Sequence, residues 1–414
     1  MPSNKLIDRV MNRLTPGRAR LAVLIYGLRL YTTRYNYAYD RLHNRINFRC
    51  FFDAFFKPEK SVWMTLLFPA ELLYPLGLSP IIMESVGGIL GALGLTRSFL
   101  KNTIEKGIPS SLCTFHRAHL SLALKNGLYP PAFVTAVSAL CDGNLRSLQE
   151  VSEFFPSPFF FIDIPEPDTP GAQEFLASQL EELYSRLAFS RRVPNSVDRL
   201  KRAVELAEET RIWMNKVNKL RAERYFPDQP PMSFAWNVLN QTAHLGCEDG
   251  RDFYKTLYHD LETEGKPIPE NVLRFLVLHL PPTYKHPAID TIAQKNGMVV
   301  MEEFNTNSWP PLDPEDPFGS IAERLLSFHL IGPPERRIRH INQLVEQYSA
   351  DGILSFSHWG CRHSSGSIHM MKEKFNAPCL PLETDLVDSE SASEGQIKTR
   401  IESFIEMLDS RQEV

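Results

Sequence analysis

Short apolar runs bounded by Gly, Pro and polar residues recur in two stretches of the chain, and helical periodicity fills the space between them. The runs at 77–83, 133–140 and 159–164 read as strands with helices between, one of them over 114–125. A second set at 272–280, 298–304, 352–358 and 378–383 reads the same way, with helices at 288–295, 338–348 and 368–375. Between the two sets, Leu176, Leu180, Leu183, Tyr184 and Leu187, then Leu200, Val204, Ala207, Trp213 and Val217, repeat at helical spacing. The Pro-rich stretch 226–231 interrupts them, and 305–318 reads as a long loop of the kind that is often functional. Strands alternating with helices imply parallel sheets covered by helices. The expected class is α/β, with two Rossmann- or flavodoxin-like parallel-sheet domains at 61–170 and 266–414. A helical section at 171–265 lies between them, and a helical arm at 1–60 precedes them. The two α/β halves share a layout without an internal sequence repeat.

A chain of 414 residues exceeds one ordinary core, and 43% hydrophobic with 23% charged residues is a globular composition. The net charge of −4 argues against a general nucleic-acid binder. Charge is uneven: residues 1–49 hold Lys5 and nine arginines against Asp8 and Asp40, a net +8 that leaves −12 elsewhere. A basic arm suits an anionic ligand, an acidic partner or a membrane surface, or simply packs on the acidic body. The apolar stretch 66–95 carries Pro69, Glu71, Pro75, Pro80 and Glu84, which excludes a membrane span there. The first residues lack an apolar segment with a cleavage site, and six scattered cysteines make no disulfide framework. The expectation is a cytoplasmic protein with reduced thiols.

Three cysteines stand where the chain turns into a helix. Cys141 closes the run at 133–140, Cys361 closes 352–360, and Cys113 opens the helix at 114–125. Ligands gather outside the carboxyl ends of parallel strands, and a thiolate near a helix N-terminus is stabilised by the dipole and the free amides. No C-x2-C spacing is present, so pattern alone leaves two possibilities: a metal site assembled between the α/β halves, or three buried structural thiols.

The residues around these cysteines carry a resemblance. Phe68-Pro-Ala-Glu-Leu-Leu-Tyr-Pro-Leu-Gly77 is followed by Cys113-Thr-Phe-His-Arg-Ala118 and Ser138-Ala-Leu-Cys-Asp-Gly143. Later come His358-Trp-Gly-Cys-Arg362, Pro378-Cys-Leu-Pro-Leu-Glu-Thr-Asp385 and Gly395-Gln-Ile-Lys-Thr-Arg-Ile-Glu-Ser-Phe404. The ordered set resembles the 2-hydroxyacyl-CoA dehydratase family, which includes the benzoyl-CoA reductase subunits, over most of 61–410. The resemblance implies a [4Fe–4S] cluster on Cys113, Cys141 and Cys361 with one iron left open. It implies an acyl-CoA substrate, a ketyl radical formed from the thioester, a homologous partner subunit, and an ATP-hydrolysing iron–sulfur activator as electron donor. Glu71 and His116 become candidate acid–base residues, and Arg362 a candidate to balance cluster or CoA charge. Glu71 is otherwise a helix-start charge and His116 a structural histidine; Arg362 is otherwise half of a salt bridge. Cys50, Cys247 and Cys379 do not sit where double-cubane relatives carry extra ligands, which disfavours that cluster. Asp142 is an expected N-cap for a helix beginning at Asn144. Ser138, Thr114 and the serines of 364–367 are candidate hydrogen-bond donors to sulfide, or plain caps.

Overall fold

The computed structural model describes residues 33–412 except 126, 195, 230–241, 307, 359 and 392, and no side chain is described at 362, 411 and 412. Most of the basic arm therefore lies outside the described residues. Its visible part is helix α1 (Ala38–Phe56), which leads into β1 (Ser61–Met64) and β2 (Ser79–Ile82). Helices α2 (Met83–Ala92), α3 (Thr96–Glu105) and α4 (Thr114–Leu124) follow, then β3 (Phe133–Val137), α5 (Asp142–Phe154) and β4 (Phe159–Ile162). The helical section is α6 (Ala172–Arg191), α7 (Val197–Arg221) and α8 (Glu248–Glu264), with a small antiparallel pair of β5 (Arg224–Tyr225) and β6 (Lys266–Pro267). The second half runs β7 (Leu273–Leu278), α9 (Pro287–Gln294), β8 (Gly297–Glu302), α10 (Pro317–Leu326), α11 (Pro334–Tyr348) and β9 (Gly352–Ser357). It ends with α12 (Ile368–Met371), β10 (Cys379–Glu383) and α13 (Glu394–Gln412).

Both large sheets are parallel and four-stranded, ordered β2-β1-β3-β4 and β10-β9-β7-β8. Counted within its own half, each sheet places its first strand between its second and third. The similar layout expected of the halves is thus a shared topology. The central strands β1, β3 and β9 are buried at every position, as parallel strands covered on both faces must be. Val62 and Met64 face a core shared with Leu176, Leu180, Leu200, Val204 and Phe253 of the helical section. Trp63 and Val134 face the other way, into a core that also holds Phe275, Val277, Leu354 and Phe356 of the second sheet. Each such side chain stabilises the fold by roughly 1.5–3 kcal/mol through burial, and the shared core fixes one sheet against the other.

Two expectations change, and the first sheet has one strand more than the apolar runs predict. That strand is β1, four residues long and opening on Ser61. The helix after Cys141 begins at Asp142 with Cys141 as its N-cap, so Asp142 is not the cap. The segment at 368–375 is one α-turn followed by a 3-10 turn, Lys372–Lys374, because a π-turn at Arg362–Gly366 takes up the chain before it. Among the described residues no helix is long and apolar enough to cross a membrane.

Candidate functional site

Cys113 caps α4, Cys141 caps α5 and Cys361 caps the π-turn at Arg362–Gly366. All three line one cleft of about 710 Å³, together with His116 and Gly143 from the first half and His329, Arg337 and His363 from the second. The approach of the Cys361 loop to Cys113 needs glycine: a Cβ on Gly360 would lie 2.7 Å from the Ser111 carbonyl oxygen and 3.0 Å from His358 Nε2. Two residues beside the cleft hold left-handed backbone, Leu140 (φ 73°) before Cys141 and His279 (φ 63°) after β7. For non-glycine residues this costs about 1–3 kcal/mol each and is common at functional sites. Here it turns the chain sharply at the strand ends.

The thiols are free, and two of them face an imidazole: Cys141 Sγ lies 3.6 Å from His116 Nε2, and Cys361 Sγ 3.7 Å from His279 Nε2. Desolvation lifts the Cys113 thiol well above its ordinary value, and charge on Cys361 and Cys141 adds to this. Desolvation also lifts Cys141, against the N–H groups of Asn144 and Gly143. Desolvation pushes Cys361 up as well, but the charge and hydrogen bond of His279, with side-chain and backbone bonds from Ser364, outweigh it and bring the thiol down to about 6. His116 is lowered to about 4 by burial and by the charge of His358, so its ring is neutral near pH 7. Charge on Cys361 and Cys141 penalises ionisation of Cys113, and charge on Cys361 that of Cys141, so the set suits a cationic group that binds all three as thiolates. The donor set therefore fits a thiolate-ligated cluster. Among the described residues no three His, Cys, Asp or Glu side chains close on a single metal-ion position.

A buried ion pair holds the second-half wall. Glu303 accepts Arg337 Nε at 2.6 Å, Arg337 Nη2 at 2.7 Å and the His279 N–H at 2.8 Å, with His329 Nε2 at 3.4 Å. Burial alone would raise its carboxyl, but Arg337 and His329 hold it well below the usual carboxylate range. Arg337 Nη1 also donates to the His363 carbonyl at 2.7 Å. One pair thus fixes both the backbone of the imidazole facing Cys361 and the turn that follows Cys361. On the other side, Thr114 donates to Asp385 at 2.7 Å, and His358 Nδ1 lies 3.4 Å from the same carboxylate, tying the β10 end to the start of α4.

Residues 65–408 match the model of the family described as 2-hydroxyglutaryl-CoA dehydratase, D-component. The chain belongs to that family. It is 24% identical over 345 residues to a subunit of the benzoyl-CoA reductase of Thauera aromatica, covering 74% of this chain and 79% of that one. It is 19% identical over 384 residues to the (R)-phenyllactyl-CoA dehydratase alpha subunit of Clostridium sporogenes, covering 86% of this chain and 91% of that one.

Within this dehydratase-family chain, the structure brings Cys113, Cys141, Cys361 and His116 to one cleft. Glu71 is placed elsewhere: it is fully buried, paired with Arg324 at 2.9 Å, and is not among the residues lining the cleft. The Arg362 side chain lies outside the described residues. Cys50 faces His244 at 3.8 Å and Cys247 caps α8, while Cys379 opens β10; none of them lines the cleft. Thr114 and Ser138 are engaged with Asp385 and with the backbone of Ile164. Ser364 does act on a thiol, Cys361. Sequence reasoning missed His279, Glu303, His329 and Arg337. A signal existed for two of them: a Glu302-Glu303 pair breaks the apolar run 298–304, and His279 separates another run from Pro281-Pro282.

Proposed function

We propose that this chain is the iron–sulfur subunit of an enzyme of the 2-hydroxyacyl-CoA dehydratase kind, with Cys113, Cys141 and Cys361 as ligands of a [4Fe–4S] cluster. One observation carries this reading: cysteines from both halves of the chain, each at an N-cap, line the same cleft. When bound, the cluster would supply an electron and, at an iron without a cysteine, a Lewis acid for a thioester oxygen. The chain's own groups do the rest. A volume of about 710 Å³ suits a small organic ligand. His116, neutral and facing both Cys141 and the cleft, is the candidate to hold or release a proton at a ring nitrogen. Glu303 and Arg337 keep the Cys361 turn in place.

A homologous partner subunit and an ATP-hydrolysing activator belong to this reading; both relatives are themselves named as subunits. A second reading, reduction of an acyl-CoA instead of dehydration, is favoured by the relative named as part of a benzoyl-CoA reductase. The test is anaerobic purification with iron and sulfide analysis. A brown protein with about four of each per chain is expected; a colourless, iron-free preparation overturns the cluster. Turnover with activator and ATP, followed by product mass, then separates loss of water from gain of hydrogen.

A further inference from the structure

The described end of the basic arm separates its two readings, an anionic partner or packing on the acidic body. The acids of the body that hold this segment are already engaged. Asp228 accepts from Asn36 and Tyr37, Asp260 accepts the Tyr39 N–H at 2.7 Å, and Asp249 pairs with Arg49. Arg34, Arg41 and Arg45 are exposed, and among the described residues no carboxylate pairs with them. All three line one hollow of about 470 Å³, with Arg41 and Arg45 one helical turn apart on α1. Like charges gathered in this way repel, a cost that a bound anion removes. The guanidinium fork matches phosphate oxygens in pairs. Asn36 and Asn44 also line the hollow, and each spends a side-chain N–H within the fold, on Asp228 and on the Asp40 carbonyl. Their carboxamide oxygens are left to accept from ligand O–H or N–H groups. Phe48 adds an apolar ring to the wall. A hollow does not fit a flat bilayer, and none of the large apolar side chains of 33–56 is exposed to enter one. Phosphates, hydroxyl or amino donors and a flat ring occur together in a nucleotide.

We propose that this hollow is a nucleotide site, with Arg34, Arg41 and Arg45 on the phosphate oxygens. It shares no lining residue with the cysteine cleft, so it stands or falls independently of the cluster. Two sources carry this chemistry, a free nucleotide and the nucleotide end of CoA. The experiment is calorimetric titration of the full chain, purified anaerobically, with adenosine, ADP, inorganic pyrophosphate and CoA. ADP and pyrophosphate are expected to bind, and adenosine about tenfold or more weakly than ADP. Arg41→Glu/Arg45→Glu, checked for folding by circular dichroism and for unchanged iron content, should weaken ADP by about tenfold or more. CoA weakened as much as ADP by these substitutions makes CoA the source; CoA unaffected by them leaves the free nucleotide. Both results support the site. Lys101→Glu/Lys106→Glu removes the same charge from exposed positions outside the hollow and should leave ADP affinity unchanged. Equal weakening by the two pairs of substitutions would reduce the effect to net charge and overturn the site. ADP that fails to bind, or that binds the arginine variant as tightly as the parent, overturns it too. Retention on phosphatidylglycerol vesicles without ADP binding would also overturn it and make the arm a membrane contact.

Discussion

The two halves of the molecule build the same device and tune it differently. Each has a four-stranded parallel sheet with its first strand between its second and third, and each sets a cysteine after the third strand. Each thiol faces an imidazole at nearly the same distance, 3.6 Å for Cys141 and 3.7 Å for Cys361. Yet Cys141 is raised by desolvation while Cys361 is brought down to about 6. The imidazoles explain the split. His116 sits inside α4, where burial keeps it neutral and leaves it no charge to lend. His279 sits at a strand end, its N–H on Glu303, and its charge and hydrogen bond stabilise the Cys361 thiolate, with Ser364 adding a donor. Topology places the sulfur; the nearby polar groups set its charge.

The largest expected effect tests whether the halves share one site. Cys141→Ala and Cys361→Ala should each reduce iron and sulfide content to near zero, because a cluster deprived of one of three cysteines is not retained. Iron kept by one variant and lost by the other would mean that the halves do not serve one cluster. Next come two of the buried ion pairs, Glu71–Arg324 and Glu303–Arg337. Glu71→Gln and Glu303→Gln should each destabilise the chain by about 3–5 kcal/mol in denaturant unfolding, because each strands a buried arginine. The comparison sharpens in a second readout: only Glu303→Gln should slow alkylation of Cys361, since only Glu303 holds the His279 amide. Equal effects of both variants on Cys361 would make that hold irrelevant.

A third prediction concerns pH. In the cluster-free chain, iodoacetamide should modify Cys361 with a half-point near pH 6, and Cys141 only above the ordinary thiol range. At pH 7 Cys361 is therefore mostly thiolate and Cys141 mostly thiol, although the lower basicity of Cys361 offsets part of the rate difference. Because Cys361 is depressed in the folded state, its stabilising contribution is complete above the ordinary thiol value. It disappears as pH falls through about 6. Unfolding free energy of the cluster-free chain should therefore fall on acidification across this window, and Cys361→Ala should flatten that slope.

Much of this arrangement can be read from residue order. Strands β7, β8 and β9 of the second sheet are visible as apolar runs because parallel strands covered on both faces are largely apolar. The three cysteines stand out because each follows a turn into a helix. β1 escapes because Ser61 and its shortness give no run of its own. The pairs that tune the site escape for another reason: His279 meets Cys361 across 82 positions, and Glu303 meets Arg337 across 34. Such contacts are made by the order of strands in a sheet, which no local period encodes. Glu71 shows the converse, a motif residue whose burial against Arg324 depends on α10, far along the chain.

The finest distinction between the halves lies in the two imidazoles, and its effect is the smallest. His279→Ala removes the charge and the hydrogen bond that lower Cys361, leaving desolvation opposed only by Ser364. The alkylation half-point of Cys361 in the cluster-free chain should then move up toward the ordinary thiol range, and its rate at pH 7 should fall by about tenfold. His116→Ala removes a ring that carries no charge at this pH, and the backbone donors on Cys141 come from Asn144 and Gly143 instead. The half-point of Cys141 should hardly move. If His116→Ala shifts Cys141 as far as His279→Ala shifts Cys361, the imidazoles act alike. The difference between the thiols would then come from the helix start at Cys141 and the π-turn at Cys361.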